Sequence, residues 1–221
     1  MFFQIDPSQH ENFQPQIKSM FELRYRVFCE RLGWVPGENQ MERDDFDDQK
    51  PSYLIKQEAD GAVSACVRLL PSTGANMLRD TFANLLEGRE CPAEESIMES
   101  SRFSVDTSLL RSRGETELSK TTYELFISMI EFGLSKGLSK IITVTDLRME
   151  RLVKRASWPY ERLGKPQRQM DGQKEIKAVA IAGEVSEEAL FAVREKAGMT
   201  RPVLFQPVMS MNQNAKIKIA S

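Results

Sequence analysis

The chain has 221 residues, of which 41% are hydrophobic and 28% are charged, and its formal net charge is −2. These values are typical of an ordinary soluble globular protein, and the small net charge gives no general electrostatic case for nucleic acid or a membrane surface as a partner. No apolar run approaches the roughly 20 residues that span a bilayer, and the first residues lack the basic and apolar regions of a signal peptide. Cys29, Cys66 and Cys91 lie at wide spacings, which favours reduced thiols and a cytoplasmic protein over a disulfide framework.

The single histidine, His10, excludes several kinds of site. It stands in a polar stretch ahead of the first predicted helix, so a relay of serine or cysteine with histidine is not expected. A metal site with several histidines is excluded, and we expect no metal.

The first half of the chain begins with a predicted short strand at FFQI, followed by a helix from Pro15 to about Arg31. SYLIKQE and AVSACVRLL are predicted strands joined by a tight turn at Asp60-Gly61. MLRDTFANLLEG is predicted as one short helix that Gly88 ends.

The second half begins with a predicted strand at SIMESSRFSVD and an amphipathic helix at ELSKTTYELFISMIEFGLSKG, ended by Gly137. KIITVT is a predicted buried strand, after which Asp146 caps the helix LRMERLVKRA. KAVAIAG is a further strand, and Ser186 caps the helix SEEALFAVREKAG. The last stretch, with Pro202 and Pro207, has room for a short edge strand.

Strands therefore alternate with helices along most of the chain. This order predicts an α/β or mixed α+β fold. With no linker or repeat in between, we expect a single domain over residues 1–221.

The first predicted helix carries a positive charge on its apolar face. One helical face holds Ile17, Met20, Phe21, Val27 and Phe28, with Arg24 among them and Arg31 at the next position. An unpaired buried charge is very costly, so we expect these guanidinium groups to meet carboxylates or a ligand.

Two predicted strands direct arginines and a carboxylate toward similar surroundings. Arg68 shares one strand face with Cys66 and Leu70. In the strand IMESSRFSV, strict alternation puts Ile97, Glu99, Ser101, Phe103 and Val105 on one face, and Ser100, Arg102 and Ser104 on the other.

The loop MERDDFDD, residues 41–48, offers the matching carboxylates. Five of its eight residues are acidic, and Asp44 and Asp47 are spaced to share one side of a turn. Two interpretations remain: a buried lattice of ion pairs without a ligand, or a polar pocket for a zwitterionic ligand, walled by Phe28 and Trp34.

Several blocks of this sequence together resemble one known family. LRYRVFCERLGW, MERDDFD, YLI, VRLLPSTGANML, FANLL, ESSRFSVD and VTDLRMERLVKRASWPYERLG resemble the LuxI-type acyl-homoserine lactone synthases, the autoinducer synthases of bacterial quorum sensing. The resemblance covers about residues 20–182, and the tail of about 185–221 carries no motif that assigns it a role.

The resemblance implies a three-layer α-β-α sandwich similar to the GNAT N-acyltransferases. It also implies S-adenosylmethionine (SAM) as a substrate, an acyl thioester of acyl carrier protein or coenzyme A as the donor, and no cofactor. The α-amine of SAM would attack the thioester, and the methionyl carboxylate would then close the lactone and displace methylthioadenosine.

The resemblance also implies which residues form the site. The expected contacts to SAM come from Arg24, Phe28, Trp34, Asp44, Asp47, Arg68, Arg102 and Phe103, and the expected catalytic residues are Glu99, Ser101 and Arg102.

The expected roles follow from the side-chain chemistry. Glu99 is the first candidate for the base that deprotonates the amine, because apolar neighbours would raise its pKa, and Asp44 or Asp47 would hold the amine. Arg102 can bind the SAM carboxylate bidentately. The similarity to GNAT enzymes implies that backbone N–H groups near Arg102 and Phe103 stabilise the oxyanion. Ser101 either relays a proton or makes an ordinary strand hydrogen bond.

An acyl chain needs an apolar tunnel. The candidates for its lining are Met77, Leu78, Phe82, Leu125, Met129 and Thr143, and the alternative favoured for each is an ordinary core position. Thr143 lies where the 3-oxo-acyl producers of the family often carry threonine, so the resemblance implies a hydrogen bond from its hydroxyl to a keto oxygen, although makers of other acyl groups can also have a hydroxyl there.

Basic residues cluster in the stretch 148–168. It holds Arg148, Arg151, Lys154, Arg155, Arg162, Lys165 and Arg168 against Glu150 and Glu161, which is 7 − 2 = +5. Such a patch favours an acidic partner, either an acyl carrier protein or the phosphates of coenzyme A, although a solvated helix face gives the same pattern.

Two rival functions are weighed against lactone synthesis. One is a GNAT-like N-acyltransferase that acylates another amine and forms no lactone. The other is a non-catalytic sensor of SAM or acyl thioester, which the retention of every motif acid and arginine disfavours.

Overall fold

One mixed β-sheet runs through the part of the chain that this computed structural model describes, residues 2–112, 114, 120–171 and 174–205. Its nine strands are β1 (Phe2–Ile5), β2 (Ser52–Gln57), β3 (Val63–Pro71), β4 (Ile97–Val105), β5 (Lys140–Asp146), β6 (Tyr160–Arg162), β7 (Gln167–Asp171), β8 (Lys174–Glu184) and β9 (Leu204–Phe205). Their order is β6-β8-β5-β4-β3-β2-β1-β9, and β7 also pairs with β8. The β4–β5 and β1–β9 pairs are parallel, and the other pairs are antiparallel.

Helices cover both faces of this sheet. The α-helices are α1 (Gln14–Arg24), α2 (Met77–Asp80), α3 (Thr107–Ser112), α4 (Lys120–Ser135), α5 (Leu147–Arg155) and α6 (Glu187–Ala197). A π-helix (Tyr25–Arg31) continues α1 directly, and short 3-10 helices occupy Pro7–Phe13, Asp45–Gln49 and Ala83–Leu86.

The buried side chains divide into clusters on the two faces. On one face, Val67 and Leu69 of β3 pack with Phe126 of α4 and Leu190 of α6. On the other face, one cluster joins the first helix to β2 and β3, and another joins α2 to β5 and β8. The predicted three-layer α-β-α sandwich is therefore confirmed. Within the described ranges, no helix is both long enough and apolar enough to cross a membrane.

The predicted helix ends are confirmed where local chemistry sets them. Asp146 accepts a hydrogen bond from the N–H of Met149 at 2.6 Å, and Ser186 accepts one from Ala189 at 3.0 Å. Gly137 follows α4 with a φ of +68°, a left-handed conformation that glycine adopts at little cost. The predicted edge strand is confirmed as β9, while Pro207 lies outside the described residues.

One predicted helix was wrong, and three short elements were not predicted. The single helix MLRDTFANLLEG is α2 and a separate 3-10 helix, because the chain leaves helical geometry at Phe82, with φ −121° and ψ 25°. The short strands β6 and β7 have no apolar alternation, so the sequence pattern did not indicate them, and the short helix α3 was likewise not predicted.

A β-bulge in β4 reverses the predicted alternation. Cys66 pairs with Ser104 but Arg68 pairs with Ser101, so β4 has one more residue than β3 between these pairs. The bulge lies at Arg102, whose φ of +56° is uncommon for a residue other than glycine. Arg102 thereby joins the face of Arg68, and the prediction that it lies on the opposite face from Glu99 and Ser101 was wrong.

The π-helix changes the direction of Arg31. Ile17, Met20, Arg24, Val27 and Phe28 are buried as predicted. A π-helix has more residues per turn than an α-helix, so each residue after Tyr25 turns through a smaller angle. Arg31 is accordingly exposed and donates to Thr107 Oγ1 at 2.7 Å, so its predicted place on the apolar face was wrong.

The two central parallel strands part beside the bulge. Their pairing ends at Ser100 and Thr143, although β4 runs on to Val105 and β5 to Asp146. Beyond this point β4 pairs with β3 and β5 pairs with β8, which leaves a gap between β4 and β5.

Candidate active site

Three arginines meet three carboxylates on the sheet face that α1 covers. Arg24 donates from Nε to Glu42 Oε2 at 2.6 Å, and from Nη1 and Nη2 to Asp47 Oδ1 and Oδ2 at 2.8 and 2.9 Å. The Arg24 side chain has no exposed surface. Every donor of this guanidinium that faces the acidic loop is thus paired.

Arg68 of β3 connects the buried part of the cluster to its open side. Its Nη1 forms ion pairs with Asp44, and with Asp47 Oδ1 at 3.0 Å, and its Nη2 donates to Asp44 Oδ2 at 3.2 Å. Its Nε donates to Ser101 Oγ at 3.0 Å. Ser101 is therefore held by an arginine and is not merely part of the strand ladder.

Arg102 joins the same carboxylates because the bulge turns it to this face. Its Nε donates to Glu42 Oε1 at 3.0 Å, and its Nη2 lies 2.7 Å from Asp44 Oδ2. The guanidinium carbon lies 5.3 Å from the centroid of the Phe28 ring, within cation–π range.

The acidic loop owes its shape to hydrogen bonds of its own carboxylates. Asp44 caps the 3-10 helix Asp45–Gln49 by accepting from the N–H of Phe46 at 3.0 Å, and Asp47 Oδ2 accepts from the N–H of Asp44 at 3.0 Å. The hydroxyl of Tyr53 donates to Asp47 Oδ1 at 2.9 Å. The predicted common side of Asp44 and Asp47 is confirmed.

Two of the buried charges, Arg24 and Asp47, stabilise each other. Burial alone would raise the pKa of Asp47, but the hydrogen bonds and charge of Arg24 and the charge of Arg68 outweigh it and hold that pKa well below its usual range. Burial likewise opposes the charged form of Arg24, yet Asp47 and Glu42 raise its pKa well above the ordinary value. Both groups are therefore ionised at neutral pH.

Only one side of the cluster can reach a ligand. The side chains of Arg24 and Arg68 have no exposed surface, whereas those of Arg102 and Asp44 are 11% and 22% exposed. Phe28 and the half-buried Trp34 stand beside this open side, with ring centroids 5.9 Å apart. The buried part is thus an ion-pair lattice, and the open part is a polar recess with an aromatic wall.

Glu42 is a member of the cluster that the sequence analysis did not single out. It is 2% exposed and bonds both Arg24 and Arg102. The indication available in the sequence was that Glu42 belongs to the acidic run and lies two residues before Asp44. That signal does not separate it from the exposed Asp45 and Asp48 of the same loop.

Glu99 lies deeper in the fold and contacts α2. It is 1% exposed, and its two oxygens accept hydrogen bonds from the N–H groups of Met77 and Leu78 at 2.8 and 2.6 Å. Burial raises the pKa of Glu99, although these two N–H groups and the charge of Arg68 act in the opposite direction.

Phe103 lies away from the carboxylates. Because of the bulge its ring packs on Phe126 of α4, with ring centroids 5.3 Å apart. The prediction that it shares a face with Glu99 and Ser101 was wrong, and the same holds for Val105, which packs in the α4 cluster. Phe103 can therefore contribute to the site only through its backbone, because its ring packs on the other face of the sheet.

The carbonyl of Arg102 indicates where the Phe103 N–H points. This carbonyl accepts from Ser104 Oγ at 3.1 Å and lies 3.9 Å from the Sγ of Cys66 on β3. A trans peptide directs its C=O and the following N–H in opposite directions. The Phe103 N–H is therefore directed away from β3, toward the gap between β4 and β5.

The six residues predicted to line an acyl tunnel divide between the two faces of the sheet. Met77, Leu78 and Phe82 lie on the side of α2, whereas Leu125, Met129 and Thr143 lie on the side of α4. Thr143 donates from Oγ1 to the carbonyl of Ser100 at 2.9 Å, at the last residue pair before β4 and β5 part. A path that touches both groups has to pass through the gap between these strands.

The four basic residues of α5, Arg148, Arg151, Lys154 and Arg155, are all exposed. Glu150 on the same helix is buried and accepts from Arg162 at 2.6 and 2.8 Å, so Arg162 is neutralised locally. Although Arg31 is exposed by solvent-accessible area, neighbouring groups partly desolvate its guanidinium, and this desolvation, followed by the charges of Arg148 and Arg111, lowers the pKa of Arg31. The positive surface thus includes α5 and its neighbours at the end of the sheet where β4 and β5 part.

Among the described residues, no group of three histidine, cysteine, aspartate or glutamate side chains is arranged to hold a metal ion. Arginines pair with the clustered carboxylates of Glu42, Asp44 and Asp47.

Comparison with known proteins gives matches over most of the chain. A family model described as autoinducer synthase matches residues 8–193. An acyl-homoserine-lactone synthase of Agrobacterium fabrum is 45% identical over 166 residues, which are 73% of this chain and 77% of the relative. One from Aliivibrio fischeri is 33% identical over 179 residues, 80% of this chain and 91% of that protein.

Solved structures agree with the sheet and its helical layers. The AHL synthase LasI has a TM-score of 0.72 at 29% identity, over 88% of this chain and 93% of LasI. BjaI, a coenzyme A-dependent acyl-homoserine lactone synthase solved with SAM and isopentyl-CoA, has a TM-score of 0.82 at 22% identity, over 96% and 95%. An N-acetyltransferase from Lactobacillus plantarum has a TM-score of 0.55 at 16% identity, over 84% and 99%, in line with the predicted GNAT-like fold.

Proposed function

The chain belongs to the autoinducer synthase family and is an acyl-homoserine-lactone synthase, an acyltransferase, and from this premise we propose how its own residues serve the reaction. SAM binds on the open side of the arginine–carboxylate cluster. Its amine attacks the thioester carbonyl and forms an amide, with loss of the amine proton and release of the donor thiol. Its carboxylate then attacks its own γ-carbon, which closes the lactone and displaces methylthioadenosine. The observation that carries the proposal is the partly exposed ion pair of Arg102 and Asp44, which lies beside the rings of Phe28 and Trp34.

The charges of SAM match those of the recess. SAM carries a carboxylate, an ammonium group and a sulfonium, and Arg102 and Asp44 present one positive and one negative group side by side. Phe28 and Trp34 offer aromatic faces to the sulfonium or the adenine ring. Four buried side chains lie next to this pair on its inner side: Glu42, Asp47, Arg24 and Arg68. Their hydrogen bonds and ion pairs hold Arg102 and Asp44 in place.

Acyl transfer requires a donor for the developing oxyanion. The Phe103 N–H is suited to this role because it is directed toward the gap between β4 and β5. A preorganised backbone N–H costs no reorganisation during the reaction, and the loss of such a donor typically costs about 10²–10³ in rate. The bulge at Arg102 thus serves both substrates, since it turns the guanidinium to SAM and the next N–H to the thioester.

The acyl chain enters through the same gap. Thr143 stands at its narrow end, and Leu125 and Met129 line the α4 side. This arrangement brings the thioester carbonyl between the recess on one face of the sheet and the apolar core on the other.

The donor docks on the positive surface of α5. The nine residues of this helix span about 14 Å, at about 1.5 Å per residue, so its exposed basic residues can meet several acidic groups of one partner. We propose acyl carrier protein, an acidic macromolecule, as that partner; coenzyme A, with its three phosphate groups, is the alternative that turnover with the two kinds of thioester tests. The reaction takes place in the cytoplasm, where both donors occur.

The test is turnover by the purified protein. It is incubated with SAM and either acyl-carrier-protein or coenzyme A thioesters, and acyl-homoserine lactone and methylthioadenosine are quantified by mass spectrometry. Equal amounts of both products support the proposal. An acylated amine without methylthioadenosine would indicate a GNAT-like acyltransferase, and binding of SAM without any product would indicate a sensor.

A further inference from the structure

The thioether of Met77 occupies a position between two of the arginines. Its Sδ lies 3.5 Å from Arg68 Nη2 and 3.5 Å from Arg102 Nη1. A thioether is a weak acceptor, whereas hydrogen bonds between a guanidinium and a carboxylate are among the strong ones. These N–H groups therefore point at the weakest acceptor of the site, and a carboxylate in the same position would bind them more tightly.

The position of Met77 is set by Glu99. The Met77 N–H donates to Glu99 Oε2 at 2.8 Å, and the neighbouring Leu78 N–H donates to Oε1 at 2.6 Å. Glu99 is thus bound through both oxygens to the first turn of α2. In β4 it lies two residues before Ser101, on the same sheet face.

Hydrogen bonds in the loop that precedes α2 restrict the backbone at Met77. Asn76 caps α2 by accepting from the N–H of Arg79 at 3.0 Å, and its amide donates to the carbonyl of Gly74 at 3.0 Å. The Arg79 side chain donates to the carbonyls of Ser72 and Gly74 at 2.6 and 2.7 Å. The backbone at Met77 is therefore fixed, while its unbranched side chain keeps several rotamers.

We propose that Glu99 and Met77 form a positioning pair for the carboxylate of SAM. The Met77 thioether holds the N–H groups of Arg68 and Arg102 in the ligand-free enzyme and gives way to the carboxylate when SAM binds. Glu99 sets the place of Met77 through the backbone of α2. The inference rests on the proposed use of SAM, and it assigns Met77 to the SAM side of the site instead of the acyl tunnel.

In this role Glu99 acts through Met77 and is not the proton acceptor. The positive sulfonium of SAM disfavours a second positive charge on the same molecule and so lowers the pKa of the SAM amine, which therefore needs less help to lose its proton. Both oxygens of Glu99 already accept hydrogen bonds from the backbone. Water at the open side of the recess can take the proton.

The first test replaces Met77. Met77→Gln keeps the reach of the side chain but adds an amide oxygen, a stronger acceptor that competes with the SAM carboxylate. We expect the KM for SAM to rise about three- to tenfold, the equivalent of one hydrogen bond, while kcat and the KM for the donor change little. Met77→Leu, which fills the space without an acceptor, should lower the KM for SAM below that of the parent, because no side-chain atom at this position then competes for the two N–H groups. Met199→Gln, at a half-buried methionine after α6, is the matched control.

The second test replaces Glu99 and follows the pH dependence of kcat. For Glu99→Gln we expect a raised KM for SAM that is not additive with Met77→Gln, and a pH profile with the midpoint of the parent. A general base would instead lose about 10²–10⁴ in kcat together with the acid limb of the profile, which would overturn the role of Glu99. If Met77→Gln raises the KM for the donor and not that for SAM, Met77 lines the acyl path and the inference is wrong. The failure of the proposed function is a separate result: the parent enzyme would then make no lactone from SAM. The variant effects above are measured only with a parent that is active, so they test the inference by itself.

Discussion

Arg24 lies entirely out of solvent and donates from both terminal nitrogens to the carboxylate of Asp47, at 2.8 and 2.9 Å. The two residues are 23 positions apart in the chain, so this pair fastens the acidic loop to the first helix. A buried pair of this kind contributes less net stability than its geometry suggests, because both charges lose their hydration. Removal of one partner is nevertheless costly, since the other charge stays buried without compensation.

We therefore expect Arg24→Met to lower the free energy of unfolding by about 3–5 kcal/mol, because Asp47 and Glu42 lose their common partner. Activity should fall with it, since Glu42 also supports Arg102. Urea unfolding at pH 7 measures the first effect. Lys18→Met removes an exposed charge from the same helix and should cost less than about 1 kcal/mol. Equal stability of Arg24→Met and Lys18→Met would contradict the buried pair.

The depressed pKa of Asp47 predicts a specific acid sensitivity. In the unfolded chain the pKa of an aspartate is about 3.9, and Asp47 lies well below this value in the fold. Its contribution to stability is therefore fully present above about pH 4 and is lost as the pH falls further, toward the pKa in the folded state. Glu99 acts in the opposite sense because its pKa is raised in the fold. Its contribution to the free energy of unfolding declines as the pH rises above about 4.3, the pKa of a glutamate in the unfolded chain.

Unfolding free energies between pH 7 and pH 3 test this sign. Asp47→Asn should be less stable than the parent at pH 7 but should lose less stability on acidification. The control is Asp45→Asn, in the same loop but exposed, whose pH dependence should follow that of the parent. Parallel curves for Asp47→Asn and the parent would show that another group governs the acid transition.

SAM is expected to stabilise the folded protein. A ligand at a hundredfold excess over its Kd adds about 2.7 kcal/mol, which corresponds to a rise in Tm of about 5–10 °C for a chain of this size. Asp44→Asn, at the open side of the recess, should reduce the shift, and Asp45→Asn should not. No shift at millimolar SAM, with or without an inert donor analogue, would remove the main support for the proposed recess.

Charge removal on α5 should weaken docking of the donor. The triple variant Arg151→Ser, Lys154→Ser and Arg155→Ser is expected to lower kcat/KM for acyl carrier protein about tenfold or more at low salt, because electrostatic steering raises association rates by about 10–10³. The parent should lose the same advantage as the salt concentration rises. Lys196→Ser, an exposed charge on α6, is the control. An equal loss with coenzyme A thioesters would indicate that the patch binds phosphate groups.

Local patterns in the sequence were sufficient for several elements and for part of the site. Caps such as Asp146 and Ser186 act within one helical turn, so their effect is visible in neighbouring residues. The meeting of Arg24, Arg68 and Arg102 with the acidic loop was also predictable, since a charge on an apolar face requires a partner and the loop was the richest source of carboxylates.

The sequence by itself thus determined which residue types the site contains, and the tertiary structure decided which of them face one another. Arg102 and Phe103 exchange sides because β4 carries one residue more than β3 opposite it, and such a register depends on pairing with a strand some thirty positions away. Arg31 turns outward because the first helix widens into a π-helix. Glu42 is buried and Asp45 exposed in the same acidic run because only the packing of the loop on Arg24 and Arg102 distinguishes them. Met77 lies against Arg68 and Arg102 in a fold where its N–H bonds Glu99, a residue of a strand that follows it in the chain, and no local pattern in the sequence indicates this contact.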